Sequence, residues 1–269
     1  MKKKKIKNPM IRRIPKELIG DWKKYLVVFL FLVLTIGFVS GMYVANESMI
    51  TSANEGVTKY KQEDGHFELK KQADATLLSA IETGEKADFK ATKTTLYENF
   101  FRNEEEDYNN DGKKDGTIRV FAKTKDINLA CMLQGSFPQK ADEIAIDRMH
   151  ADNVGIKVGD TVTVSGETYK VVGLLAYVNY STLHEKTTDL MFDALKFDVA
   201  MVTQDGFDRL HKSIHYTYAW KYETEPADEA GEKTRSDNFM RALLTQVVVA
   251  DNELEDYTCL LYTSDAADE

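Results

Sequence analysis

The residues best suited to chemistry form a short acidic segment between residues 107 and 115. Asp107, Asn109, Asp111 and Asp115 place oxygen atoms at positions 1, 3, 5 and 9, and Gly112 stands at position 6. This spacing is typical of a calcium-binding loop, in which side-chain oxygens hold the ion and glycine allows a sharp turn.

The same segment departs from a calcium loop at position 12. Ile118 stands there, where an EF-hand has a bidentate glutamate. The sequence therefore predicts an incomplete calcium site. A second interpretation stays open, in which the segment is an acidic hairpin turn shaped by its Asn and Gly residues.

Two histidines, His211 and His215, are four residues apart, so one helix face could present both to a metal ion. No cysteine or carboxylate is placed beside them in the sequence, and the predicted helix ends near Lys212. Solvated or core histidines are therefore the favoured interpretation.

Common catalytic motifs are absent from the sequence. It has no Walker A motif, no G-x-S-x-G, no H-E-x-x-H and no C-x-x-C. The sequence therefore predicts a non-enzymatic chain without its own ATP site or cofactor. The net charge of −9 also disfavours nucleic acid, because phosphate binding needs clustered Lys and Arg.

One apolar stretch, residues 25–45, organises the rest of the chain. Its 21 residues carry no charge, and as a helix they would extend for about 31 Å, which matches a hydrocarbon core of about 30 Å. The stretch exceeds the apolar region of a signal peptide, and no A-x-A site follows, so an uncleaved transmembrane helix is predicted. Gly37 and Gly41 form a G-x-x-x-G motif that favours close helix packing.

The first 24 residues form a basic tail with ten Lys and Arg against two acidic residues. Positive charge flanks the cytoplasmic side of a span, so the N-terminus is predicted to be cytoplasmic and the main domain extracytoplasmic in the cell membrane. The tail also suits anionic lipids, and its apolar spacing predicts an amphipathic helix before the span.

The remainder is predicted to contain a helical stalk (46–64) and a mixed α+β extracytoplasmic domain (65–258). Short strands alternate with helices, which indicates an α+β fold. Residues 133–176 are predicted to form a compact β unit whose corners are turned by small residues. A β-branched strand is predicted at Gln246–Ala250.

Residues 259–269, CLLYTSDAADE, match one reading frame of a transposon-based sequencing adapter over all eleven positions. We therefore expect this segment to be an artefact and the native protein to continue past about Thr258. Cys131 is then the only native cysteine seen, so no intrachain disulfide is expected.

The order of basic tail, single span and outer domain, together with one sequence block, resembles the FtsX-like/MacB-type ABC transporter permeases. The block runs from Gly135-x-Phe137-Pro138 through Glu143–Asp147 and Gly155–Val162 to Tyr169–Leu174. The resemblance covers nearly all of residues 20–250.

This resemblance implies an N-terminal permease fragment with a MacB periplasmic-core-like domain. It implies a separate ABC ATPase subunit that uses ATP, a homo- or heterodimer of permeases, and further spans beyond this chain. The implied roles are efflux, lipoprotein or peptide handling, and mechanotransmission. The alternative is a membrane-anchored extracytoplasmic sensor or scaffold domain.

Overall fold

The computed structural model describes residues 19–83, 94–180, 183–185, 191–224 and 229–259. The chain divides into two compact units, Met1–Glu55 and Gly56–Glu269. The predicted amphipathic helix of the tail lies mostly outside the described residues, as do ten of the eleven residues of the predicted adapter segment.

The first unit consists mainly of one helix, α1 (Trp22–Lys59), which continues for some residues into the second unit. Its apolar side chains are exposed, and Leu34, for example, keeps 70% of its surface accessible. In the described residues, this is the one helix long and apolar enough to cross a membrane. A backbone can cross lipid as a helix because each amide is bonded within the segment.

The end of α1 is shaped by backbone hydrogen bonds around a left-handed residue. Lys61 has a φ of 50°. Its amide donates to the carbonyl of Thr58 at 3.3 Å, and the amide of Gln62 donates to that of Val57 at 3.0 Å. This is a Schellman motif, which stops a helix and turns the chain sharply.

The second unit contains four further helices among its described residues, together with eleven strands. The helices are α2 (Ala75–Thr83), α3 (Arg148–Val154), α4 (Gln204–Asp208) and α5 (Glu229–Val249). The strands are β1 (Gly65–Leu69), β2 (Thr94–Glu98), β3 (Phe101–Asp107), β4 (Gly116–Ala122), β5 (Cys131–Gly135), β6 (Glu143–Asp147), β7 (Thr161–Val164), β8 (Glu167–Ala176), β9 (Phe197–Val202), β10 (Tyr216–Tyr222) and β11 (Leu254–Cys259).

One sheet has four antiparallel strands in the order β11-β1-β10-β2. Its core is aromatic. Trp220 is fully buried, with its ring centroid 4.5 Å from that of Phe239 on α5 and 6.3 Å from that of Phe67 on β1. Burying such large rings stabilises the sheet against α5.

The other sheet has seven strands in the order β5-β8-β6-β9-β4-β3-β7, and β7 also pairs with β8. The pairings of β8, β6, β9, β4, β3 and β7 therefore close into a ring. The β7–β8 hairpin turns through Ser165 and Gly166, which both have positive φ, as a two-residue turn between twisted strands requires. Inside the ring lies an apolar core that includes Ile118, Val164 and Val202.

The α+β fold class is confirmed, with one long apolar N-terminal helix before a mixed domain. The predicted strand at Gln246–Ala250 is wrong, because residues 246–249 belong to α5. The β-branched side chains favoured a strand. Packing decides otherwise, since Phe239, Leu243 and Val247 recur at helical spacing and are all buried against the four-stranded sheet.

Candidate functional site

The segment that follows α1, residues 60–64, is bonded to two separate parts of the domain. We call it the connector. The carbonyls of Tyr60 and Lys61 accept hydrogen bonds from the amides of Leu129 and Asn128, at 2.8 and 3.0 Å. The amide of Asp64 donates to the carbonyl of Trp220 on β10 at 2.9 Å. The connector is thus tied to the loop before β5 and to the four-stranded sheet.

A buried carboxylate, that of Glu63, lies at the centre of the connector. The side-chain oxygen of Asn128 accepts a hydrogen bond from the backbone amide of Glu63 at 3.0 Å, and its side-chain nitrogen donates to Oε2 of Glu63 at 2.5 Å. His66 Nδ1 lies 2.7 Å from Glu63 Oε1. Glu63 and Asn128 are only 3% and 2% exposed, so these bonds replace the water that both groups lose on folding.

Two further contacts hold the ends of the connector. The carboxylate of Asp64 accepts hydrogen bonds from Lys221 Nζ and from the Tyr222 amide, each at 2.7 Å. The Tyr60 hydroxyl donates to Cys131 Sγ at 2.8 Å. Each end of the connector therefore has a side-chain contact in addition to its backbone bonds.

The ionisation of His66 is set by its surroundings. Burial alone would lower the pKa of His66, but the charge of Glu63 and the hydrogen bond to it raise the pKa above the usual value. When it is protonated, the imidazole therefore stabilises the buried carboxylate.

A second buried polar cluster lies in the seven-stranded ring and joins Glu106 on β3, His150 on α3 and Asp198 on β9. None of the three has measurable exposure. Asp147 positions His150, because its carboxylate caps α3 by accepting from the amides of Met149 and His150. Strand pairing positions the other two residues.

The polar atoms of this cluster face one another. His150 Nε2 lies 3.4 Å from Glu106 Oε1. The other imidazole nitrogen of His150, Nδ1, lies 2.7 Å from the carbonyl oxygen of Ala194. A carbonyl oxygen can only accept a hydrogen bond, so Nδ1 must carry a proton. Asp198 Oδ1 accepts from the amides of Val199 and Asp147, at 2.7 and 3.2 Å.

The electrostatic effect of this clustering is large. Burial would lower the pKa of His150, but the negative charges of Asp198 and Glu106 raise it to about 9. Burial also raises the pKa of Asp198 well above its usual range. The cluster therefore holds protons more tightly than the same groups would in water.

The predicted calcium segment forms the loop between β3 and β4. Asp107 accepts from the amides of Asp111 and Gly112, at 3.0 and 2.8 Å. Asp115 accepts from the side chain of Asn109 at 3.2 Å. These bonds support a hairpin turn, and calcium at this loop stays a prediction that titration calorimetry with Ca²⁺ can test.

The other residues singled out from the sequence lie apart. His211 is exposed, whereas His215 Nδ1 lies 2.6 Å from Glu68 Oε1. Among the described residues, the pair does not belong to any cluster of metal-binding side chains. Gly37 and Gly41 lie on α1 with no described atom close to where a Cβ would stand.

Sequence reasoning missed both buried clusters. Glu63 and Asn128 are 65 residues apart, and nothing local links them. One signal was available for the second cluster, namely Asp198, the one charged residue in the otherwise apolar strand β9. A charge in such a strand needs a partner in the core.

The chain is similar in structure to several solved domains. One is the extracellular domain of the noncanonic ABC-type transporter YknZ from Gram-positive bacteria, at 14% identity and a TM-score of 0.36, covering 72% of this chain and 99% of that one. Another is the periplasmic region of MacB from Actinobacillus actinomycetemcomitans, at 9% identity and a TM-score of 0.38, covering 76% and 94%. A third is a domain of a permease protein from Porphyromonas gingivalis, at 9% identity and a TM-score of 0.33, covering 75% and 91%. No protein-family model matches the chain, and no curated protein matches its sequence.

The Glu63–Asn128 pair predicts a stability effect. Asn128→Ala leaves the Glu63 carboxylate buried without its amide partner, so we expect a loss of about 2 kcal/mol in unfolding free energy. Thermal melting should show a decrease of about 4–8 °C. The control Asn153→Ala removes an exposed amide and should change stability by less than about 0.5 kcal/mol. Equal effects of both variants would contradict a special role for Asn128.

The His66–Glu63 contact predicts a pH dependence. Because the folded pKa of His66 is raised, its contribution to stability is complete below the unfolded pKa of about 6.5 and is lost as pH rises through the folded pKa. The stability gap between the unaltered chain and His66→Gln should therefore be larger at about pH 5.5 than at about pH 8.5. Chemical denaturation at both pH values measures it, with His211→Gln as the control. A gap that stays constant or grows with pH would refute the assignment.

Proposed function

We propose that the chain is the N-terminal part of an ABC transporter permease subunit. In this proposal α1 is the first membrane span, and the second unit is an extracytoplasmic domain that receives motion from a cytoplasmic ATPase. The observation that carries the proposal is the connector, which follows the apolar helix directly and is hydrogen-bonded to two parts of the domain. The resemblance of residues 135–174 to FtsX-like/MacB-type permeases supports it.

The connector gives the proposed coupling a physical route. A helix transmits displacement along its axis because its backbone bonds are internal. The Glu63–Asn128 pair would pass that displacement to the loop before β5, and Asp64 would pass it to β10. In this account the output is movement of the outer domain, used for efflux, lipoprotein or peptide handling, or mechanical signalling.

The basic tail supports a cytoplasmic N-terminus in this proposal. Its ten cationic side chains would lie at the inner leaflet, where anionic lipids attract them. ATP would act through a separate ATPase subunit, since the sequence lacks a Walker A motif.

The proposal predicts a specific partner. When the full gene containing this chain is expressed with its genomic neighbours, a tagged permease purified in mild detergent should retain an ABC ATPase subunit and ATPase activity.

In intact cells that express the same gene, external protease should cleave the outer domain and leave the lysine-rich tail intact. A chain that continues into a kinase module, or that co-purifies with no ATPase, would favour the sensor or scaffold alternative. A protected domain would reverse the topology.

The glycines of α1 predict permease pairing. We propose that Gly37 and Gly41 pack against a second span, and their open surroundings mean that larger side chains cause no clash within the described chain. Gly37→Ile with Gly41→Ile should reduce crosslinked dimer several-fold in membranes. Val39→Phe, on the opposite face, is the control and should leave the dimer unchanged. Unaffected dimer in the double variant would contradict packing at these glycines.

A further inference from the structure

The Glu106–His150–Asp198 cluster contains buried atoms that have no hydrogen-bond partner among the described residues. They are both carboxylate oxygens of Glu106, Oδ2 of Asp198 and Nε2 of His150. One ligand atom from each of the three residues lies within 4.8 Å of the other two. Buried polar atoms are normally satisfied, so this convergence needs an explanation.

Glu104, on the same strand as Glu106, is also a buried carboxylate, but donors from the protein satisfy it. Glu104 is 1% exposed, and it accepts from the Ser165 hydroxyl and from the Lys212 amide. Glu106, two residues along β3, accepts no hydrogen bond of normal geometry from the described residues, and the basic side chain beside it is His150, with Nε2 3.4 Å from Oε1. The protein therefore leaves the Glu106 oxygens available to a different partner.

The charges of the cluster indicate what that partner is. The cluster brings two carboxyl groups and one imidazole together out of water. A divalent cation would replace the protons that these groups hold in its absence, and the two carboxylates would then balance its charge. Buried charges persist in proteins when they are paired or coordinate a metal.

The geometry of His150 agrees with metal ligation. Its Nδ1–H donates to the Ala194 carbonyl, so Nε2 is the nitrogen directed at the cluster, and a bound metal ion would displace the proton from it. Metal-binding histidines commonly make this backbone contact, which fixes the tautomer. The 3.4 Å separation of Nε2 and Glu106 Oε1 matches the edge of about 3.3 Å in a tetrahedron with metal bonds of about 2.0–2.1 Å.

We propose that Glu106, His150 and Asp198 bind one divalent transition-metal ion of the zinc class inside the seven-stranded ring. A nitrogen donor with two carboxylates suits Zn²⁺ or Mn²⁺, whereas Ca²⁺ and Mg²⁺ select oxygen donors. The site is completely buried, so the ion binds as the domain folds and cross-links β3, α3 and β9.

Metal analysis of the full chain in detergent tests this proposal. Chain purified without chelator should contain about one transition-metal ion per molecule. Glu106→Gln and His150→Gln should each reduce the content to less than about a tenth of that. The matched controls are Glu105→Gln, on the exposed face of the same strand, and His211→Gln, and both should retain the ion.

A second measurement needs no variant at all. Refolding the unaltered chain with a strong chelator should lower its melting temperature by at least about 3 °C, and added Zn²⁺ but not Ca²⁺ should restore it. Refolding with Co²⁺ should give the visible absorption of a low-symmetry site. The proposal is overturned if the folded chain carries no metal and gains no stability from Zn²⁺ or Mn²⁺, or if Glu106→Gln and His150→Gln both fold and keep the ion.

Discussion

The attachment of the connector depends on one buried carboxylate. Glu63 is almost completely removed from water, and a charge in that position is stable only when donors surround it. The Asn128 amide and the His66 ring supply them. Because Asn128 lies 65 residues away in the sequence, its bond to Glu63 fixes the connector to the loop before β5, beside the backbone bonds that the connector makes there.

Buried carboxylates need donors or positive charge around them, and the two buried clusters of this domain meet that need differently. Around Glu63, side-chain donors from the protein satisfy the carboxylate. Around Glu106 and Asp198, His150 is the one basic side chain in the cluster. The first arrangement underlies the proposed coupling of span and domain, and the second underlies the proposed metal site. Both lie in a domain whose strands are held mainly by apolar packing.

The features predicted from sequence are those with local causes. The charge-free run of residues 25–45 lies within α1, and the small residues expected at the corners of the β unit form the hairpin turn at Ser165. The strand expected at Gln246–Ala250 failed because packing of α5 overrides β propensity. Glu63 and Asn128, like Glu106, His150 and Asp198, are far apart in the sequence, so no local pattern could place them together.

The central claim is that the connector is fixed to the domain. Hydrogen–deuterium exchange of the full chain in detergent tests this claim most directly. The amides of Asn128 and Leu129 donate to carbonyls of the connector, and the amide of Asp64, in the connector, donates to β10. The account predicts that these three amides exchange as slowly as those of the core strand β10. Exchange as fast as in the exposed loop at residues 109–113 would show a loosely tethered domain and would contradict the account.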